Sequence, residues 1–342
     1  MLQVRLEQTL NSDLQALFTM DWRGIVPPQY LVARRNFRRV VLDPPDFEPG
    51  SWIGAGRVFY DSLFEEYLMA VRARRGPPAR GYEAEVYTSD DGEQFTLRSV
   101  LTKKEIAEQL GDTIYSIEGL QLLRDPLSGK LYLYVSVDNG KGWETVLFES
   151  DDPAGPWESR GYVLRVGESY DSKEARDPVI DVVDGTYFML YKASDGEKVN
   201  TALAISCDGV KWRKLGVPTV DGRPQPEYLQ LSGAIMAGAR GPIHLGLVRR
   251  YLVNGCGLAK HFEAYVIDYR SLNLETIARL EWTPRSPYER VDYPTHGYSS
   301  LTYDRERDRV LIYVESLDPK YTREPGWRIQ VDRWILYEVY LP

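Results

Sequence analysis

One kind of turn recurs along this chain and limits what it can fold into. It reads Ser89-Asp90-Asp91-Gly92-Glu93-Gln94-Phe95, then Ser150-Asp151-Asp152-Pro153-Ala154-Gly155-Pro156-Trp157-Glu158, then Ser206-Cys207-Asp208-Gly209-Val210-Lys211-Trp212. Each turn ends a strand-like segment and follows a Tyr-rich one, as in Leu131-Tyr132-Leu133-Tyr134-Val135-Ser136 and Gly185-Thr186-Tyr187-Phe188-Met189-Leu190-Tyr191-Lys192. Short strands separated by turn signals, repeated at a fixed period, indicate a modular all-β fold.

The repeating unit has an opening strand rich in small or charged residues, a Tyr-rich second strand, a third strand that ends in the turn, and a last strand leading out. The openings fall at Gly56, Glu118, Asp177, Gly233 and Gly297, separated by 62, 59, 56 and 64 residues. One four-stranded sheet cannot bury both its faces alone, so successive units must pack on one another. The expected fold is a five-bladed β-propeller with four-stranded antiparallel blades, a single domain over residues 1–342. A β-sandwich followed by a second domain is the alternative, but no compositional break marks a linker. The fifth unit is one strand short at its C-terminal end. A strand from Leu2–Leu6 or Arg39–Leu42 is expected to complete it. Asp13–Thr19 and Lys103–Leu110 read as short helices.

Composition excludes several functions. A net charge of −8 provides no positive field for nucleic acid, and the basic cluster around Arg34-Arg35 reads as solvated surface. No apolar run is long enough for a membrane span, and the first residues lack a signal-peptide core. Cys207 and Cys256 are the only two cysteines and stand in no metal-ligand spacing. A cytoplasmic setting with free thiols follows, and neither metal nor cofactor is expected. Gly-rich phosphate loops, His-Glu-x-x-His and Gly-x-Ser-x-Gly are absent from the sequence.

In a propeller the opening strands line the central channel. Glycines at their starts answer backbone crowding there, whereas a charge needs another reason. Glu118 and Asp177 occupy equivalent openings, and Arg176 adjoins Asp177. A carboxylate in a partly closed funnel either ties neighbouring strands together or performs chemistry. Arg72, Lys192, Arg249 and Glu315 lie on second strands near the same rim, where solvated strand ends are the plain reading. His296 opens the fifth unit as a ligand contact or a structural group. Trp52 and Tyr115 precede two openings and offer a stacking floor or simple packing.

The chain resembles the five-bladed β-propeller glycosidases, the superfamily of glycoside hydrolase families 43, 32, 62, 68 and 130. Arg176-Asp177-Pro178 is similar to the Arg-Asp-Pro motif of the invertase-like enzymes, and the Ser-x-Asp-Gly turns resemble that group's blade turns. The resemblance runs from about Trp52 to Leu341. It implies a glycoside hydrolase acting on an oligosaccharide or glycoside, in which the Arg-Asp-Pro aspartate, here Asp177, orients substrate and stabilises the transition state or tunes the acid; Glu118 has no secure counterpart in the family. From their places at the openings and rim, Glu118 and Asp177 are the expected catalytic pair, with Trp52, Arg57, Arg72, Tyr115, Arg176, Lys192, His296 and Glu315 expected to bind substrate. The resemblance also keeps open a glycoside phosphorylase, with Arg57, Arg72, Arg176 and Lys192 holding phosphate, and a non-catalytic sugar-binding propeller. The family's blade-one aspartate has no counterpart in Gly54-Ala55-Gly56-Arg57.

Overall fold

The computed structural model describes residues 27–341 except 239 and 305. The expected Leu2–Leu6 strand and Asp13–Thr19 helix lie outside the described residues. The described part is almost wholly β, with helix α1 at Pro28–Arg34 followed by β1 at Asn36–Leu42.

Four antiparallel runs of strands follow in sequence. The first holds β2 (Trp52–Asp61), β3 (Glu66–Arg75), β4 (Arg80–Ser89) and β5 (Thr96–Thr102). Helix α2 (Lys103–Leu110) leads to the second: β6 (Ser116–Arg124), β7 (Leu131–Asp138), β8 (Trp143–Ser150) and β9 (Glu158–Leu164). The third holds β10 (Glu174–Val183), β11 (Thr186–Ser194), β12 (Val199–Ser206) and β13 (Arg213–Gly216). In the fourth, after the short β14 (Thr219–Val220), the opening strand is broken into β15 (Gln230–Leu231) and β16 (Ala234–Met236). Both pair with β17 (Ile243–Val253), followed by β18 (Cys256–Asp268) and β19 (Asn273–Glu281).

The final run is β20 (Thr295–Asp304), β21 (Arg309–Leu317) and β22 (Asp332–Tyr340), and its outer partner is β1. Of the two strands proposed to complete this unit, the one containing Arg39–Leu42 therefore does so. Helix α2 coincides with the expected Lys103–Leu110. Thr102 and Glu105 form a reciprocal capping box at its start, and Gly111 ends it in the left-handed conformation.

Runs meet through side chains. The ladders joining one run to another are single pairs such as Trp52 with Asp332 and Ala259 with Thr295, and among the described residues no hydrogen-bonded sheet closes on itself. The apolar layers are instead shared in sequence. One packs Leu68, Ala70 and Val86 of the first run on Leu120, Leu133 and Val135 of the second. Others join the second run to the third, the third to the fourth, and the fourth to the fifth. A fifth layer packs Val58, Met69 and Val71 against Leu311, Tyr313 and Trp334, which brings the last run back onto the first.

The recurrent turns serve these layers. Ser89 Oγ accepts the amides of Asp91 and Gly92, and Asp91 Oδ1 accepts those of Glu93 and Gln94. Ser206 and Asp208 repeat the pattern with Asp208, Gly209, Val210 and Lys211. A tyrosine from the adjacent run then donates to the glycine carbonyl, Tyr313 to Gly92 and Tyr134 to Gly209. The turn sequence thus sets both the reversal and its docking.

Candidate active site

Opening strands from all five runs converge along one line. Ala55–Gly56, Gly119–Gln121, Asp177–Val179, Leu231–Gly233 and Tyr298–Ser299 surround one small space. Residues further along the same strands, among them Arg57, Leu122, Asp181, Ile235 and Leu301, surround a second, largely apolar cavity. At the other end, Trp52, Glu118, Arg176 and His296 line a polar cleft.

A register shift aims the side chains at that cleft. Regular pairing of the opening strand with the second strand is interrupted between Gly54 and Arg57, Ile117 and Leu120, Arg176 and Val179, and Thr295 and Ser299. Such bulges re-aim a side chain that a regular strand would send to one of its two faces. Ala55 and Asp177 adopt φ of 53° within them. This conformation is costly for residues with a Cβ, and Asp tolerates it better than most.

Glu118 sits on the cleft wall, 6% exposed. Arg74 Nη1 donates to it at 2.6 Å, and Arg72 Nε lies 3.2 Å away. Burial pushes its carboxyl upward, but Arg72, Arg74 and Arg176 outweigh this and hold it below the usual range. Asp177 lies just beneath. Its Oδ1 accepts the Gly119 amide at 3.0 Å, and its Oδ2 accepts Gln230 Nε2 at 2.8 Å and the Tyr298 hydroxyl at 2.9 Å. Arg176 Nη1 is 3.0 Å away. Burial again pushes upward, and Arg176, Lys192 and Arg249 drive the carboxyl well below the usual range. Of the two readings open for Asp177, the tie between neighbouring strands is plainly present. Asp177 lines the small space between the opening strands and does not line the polar cleft.

The place above the first opening strand is filled from the fifth run. Glu315 Oε2 accepts the Ala55 amide at 2.7 Å. A Cβ at residue 54 would lie 2.7 Å from that oxygen, so glycine there makes room for the carboxylate. Glu315 is fully buried and does not line the cleft. With Asp332 it accepts from His296 Nδ1, at 3.1 and 3.0 Å. His296 Nε2 is 3.3 Å from Cys256 Sγ. Burial works against protonation of His296, but the neighbouring Cys256 sulfur, Glu315 and Asp332 outweigh it and hold the imidazolium well above the usual range. Among the described residues, His296, Glu315 and Asp332 form the group whose donor atoms, all within 4.8 Å of one another, have metal-ligand chemistry. Both carboxylates are already engaged with the imidazole, and Arg72 and Gln330 add further partners.

The expected site residues are therefore divided. Trp52, Glu118, Arg176, Lys192 and His296 line the cleft. Arg72 is fully buried behind it, between Glu118 and Glu315. Arg57 belongs to the apolar cavity, where it pairs with Asp181 at 2.6 Å and donates to the Gly233 carbonyl. Tyr115 is 54% exposed and covers Gly140. The cleft also contains Arg74, Arg80, Trp143, Tyr228, Tyr298 and Trp327, which the sequence reading did not nominate. Arg74 and Tyr298 were detectable, since each lies two residues beyond a nominated neighbour on the same strand. Trp143 begins a strand, and Tyr228 and Trp327 lie in connecting segments, so no strand period marks them.

No protein-family model matches the sequence, and no curated protein matches it. Solved structures do. A thermostable family-43 glycoside hydrolase superposes with a TM-score of 0.63 at 12% identity, covering 85% of this chain and 90% of that one. A family-117 glycoside hydrolase from the marine bacterium Zobellia galactanivorans gives 0.58 at 15% identity, with 89% and 90% covered. A structure from the family-130 mannoside phosphorylases, a family described as containing glycoside hydrolases that target β-1,2 mannosidic linkages in Candida mannan, gives 0.57 at 15%, with 89% and 94% covered. The chain shares the fold of these solved structures.

Proposed function

We propose that the chain is a glycosidase-type enzyme that cleaves a glycosidic bond of an oligosaccharide or glycoside in the polar cleft, using Glu118 and Asp177. In this reading the five runs are the four-stranded blades of one propeller domain, and the cleft is the mouth of its central channel. The circular order of apolar layers supports this. Two unpaired thiols suit a cytoplasmic setting. No described helix is long and apolar enough to cross a membrane.

The observation that carries the proposal is the ionised Glu118 on a cleft wall that also bears Trp52, Trp143 and Trp327. Aromatic faces suit sugar rings. A carboxylate kept ionised is equipped to activate water or to attack the sugar carbon. Asp177, ionised and anchored by four partners, supplies fixed negative charge beneath a ring that becomes positive in the transition state. Neither carboxyl is set to be the proton donor. His296 also lines the cleft, but its Nδ1 is held by Glu315 and Asp332 and its Nε2 lies beside Cys256.

The test is turnover of an α- and β-glycoside panel by wild type and Glu118→Gln, with and without inorganic phosphate. A loss of about 10²–10⁴-fold in turnover is expected for the variant at a temperature well below its own, lowered melting temperature. Sugar phosphate formed only with phosphate would move the reading to a phosphorylase. Equal turnover by Glu118→Gln would remove Glu118 from the chemistry.

A further inference from the structure

The cleft is markedly cationic in a chain of net charge −8. Arg74, Arg80, Arg176, Lys192 and Arg249 line it, against one lining carboxylate, Glu118. Four of these cations have carboxylate partners: Arg74 with Glu118, Arg80 with Asp138, Arg176 with Asp177 and Glu174, and Lys192 with Glu174. Arg249 differs. Among the described residues no carboxylate lies at ion-pair distance from it.

Arg249 is 4% exposed and firmly held. Its Nε donates to the His296 carbonyl at 2.6 Å and its Nη1 to Gln230 Oε1 at 2.7 Å, and its guanidinium lies 3.6 Å over the Tyr298 ring. Its Nη2 is buried and has no hydrogen-bond partner. A buried charged donor without an acceptor is costly, and a guanidinium fixed by neutral groups is preorganised for an anion. Lys192 lines the same cleft, and its ammonium carries three donors. A carboxylate has two oxygens, one for each cation.

Resting on the glycosidase reading above, we infer that the sugar taken by this cleft is a uronic acid, its carboxylate seated against Arg249 Nη2 with Lys192 beside it. A neutral hydroxyl would give the orphan nitrogen an uncharged acceptor, whereas a carboxylate would bring a negative charge to ion-pair distance, closer than Asp177, which acts on Arg249 from beyond it. The tryptophan faces bind the ring, and Arg249 selects for its charge.

The test is calorimetric titration of the full chain with D-glucuronate and D-galacturonate, each against its neutral hexose and its methyl ester, with inorganic phosphate and sulfate as further ligands. One uronate is expected to bind at least about tenfold more tightly than its hexose and its ester, in a salt-sensitive manner. Arg249→Gln should erase that margin while leaving hexose binding in place, and Arg249→Lys should retain part of it. Equal binding of uronate and hexose overturns the inference, as does a margin that survives Arg249→Gln. Binding of free phosphate or sulfate without any uronate preference also overturns it. If Arg249→Gln does not fold, the wild-type comparison of acid with ester decides. Cleavage of neutral glycosides with no uronate preference removes this inference alone, whereas uronate binding without cleavage of any glycoside removes the hydrolytic reading alone.

Discussion

Asp177 Oδ1 accepts the backbone amide of Gly119, and a Cβ at residue 119 would lie 2.7 Å from that oxygen and 2.9 Å from the Asp177 Cα. The second and third opening strands are thus joined by a contact that has no room for a side chain. Gly119→Ala is expected to cost about 1–3 kcal/mol through overpacking and to impair catalysis, because Asp177 must move. Urea denaturation alongside turnover checks both effects.

Asp177→Asn should affect more than chemistry. Asn cannot satisfy Arg176, the Gly119 amide, Gln230 and Tyr298 as the carboxylate does. Removing one partner of a buried ion pair costs about 3–5 kcal/mol. A lowered melting temperature together with lost activity is expected, as it is for Glu118→Gln, which leaves the buried Arg72 and Arg74 without their shared carboxylate. An unchanged melting temperature for Asp177→Asn would show that these ties contribute little.

The paired turns predict matched stability losses. Asp91 and Asp208 each accept two backbone amides in the same geometry. Asp91→Ala and Asp208→Ala should each cost about 1–3 kcal/mol. Thermal melts of the two variants should agree closely with one another, and disagreement would break the equivalence of the turns.

His244 sets an acid limit. It is fully buried, its Nε2 is 2.9 Å from the Ser232 carbonyl, and burial lowers its pKa to about 4 despite that contact and the charge of Glu263. Between the ordinary histidine value and about 4, the unfolded chain binds a proton that the folded chain refuses. Stability therefore falls as pH falls through this window, by about 3 kcal/mol in all. Glu174, held at about 2 because Arg176 and Lys192 outweigh its burial, acts in a lower window: its contribution is complete above the ordinary glutamate value and is lost as pH falls toward 2. Urea midpoints at pH 7 and 4.5 should differ in wild type and converge in His244→Gln. An equal difference in the variant would assign the acid sensitivity elsewhere.

Phe37 tests the closure of the last run. It packs edge-on against Tyr337 at 5.9 Å and tilted against Tyr288 at 5.8 Å. Phe37→Ala is expected to cost about 2 kcal/mol, less than a fully buried phenylalanine because the ring is half-exposed. A urea midpoint equal to wild type would show that the Phe37 contacts of β1 contribute little to stability.

The sequence reading recovered what is local. Turn residues act on amides two or three positions away, so Ser89, Asp91, Ser206 and Asp208 could be recognised without knowing the fold. The capping box of Thr102 and Glu105 is local in the same sense. Glu118 and Asp177 stand out as charges at openings where small residues are expected, and both fall at bulges. Arg57 was misplaced by a bulge. It follows the bulge after Gly54, and the extra residue carries it past the cleft toward Asp181. Glu315 could not be placed as a cap on Ala55, since that contact spans 260 residues of chain. Arg249 could be noted as a charge near the rim, but that no carboxylate of the described residues comes to ion-pair distance from it depends on every neighbouring run.

Strand β1 pairs with β22, so Asn36 meets Glu338 and Leu42 meets Trp334. On a ribosome, Phe37 emerges early and then waits while nearly the whole remaining chain is made. Until then its only possible edge partner does not exist. Four runs can collapse in order as they appear, but β1 gains its partner only once β22 has been made, a contact of very high sequence separation. A product stalled before β22 would thus carry an unpaired β1 and an uncovered apolar face on the first run, both open to a neighbouring chain.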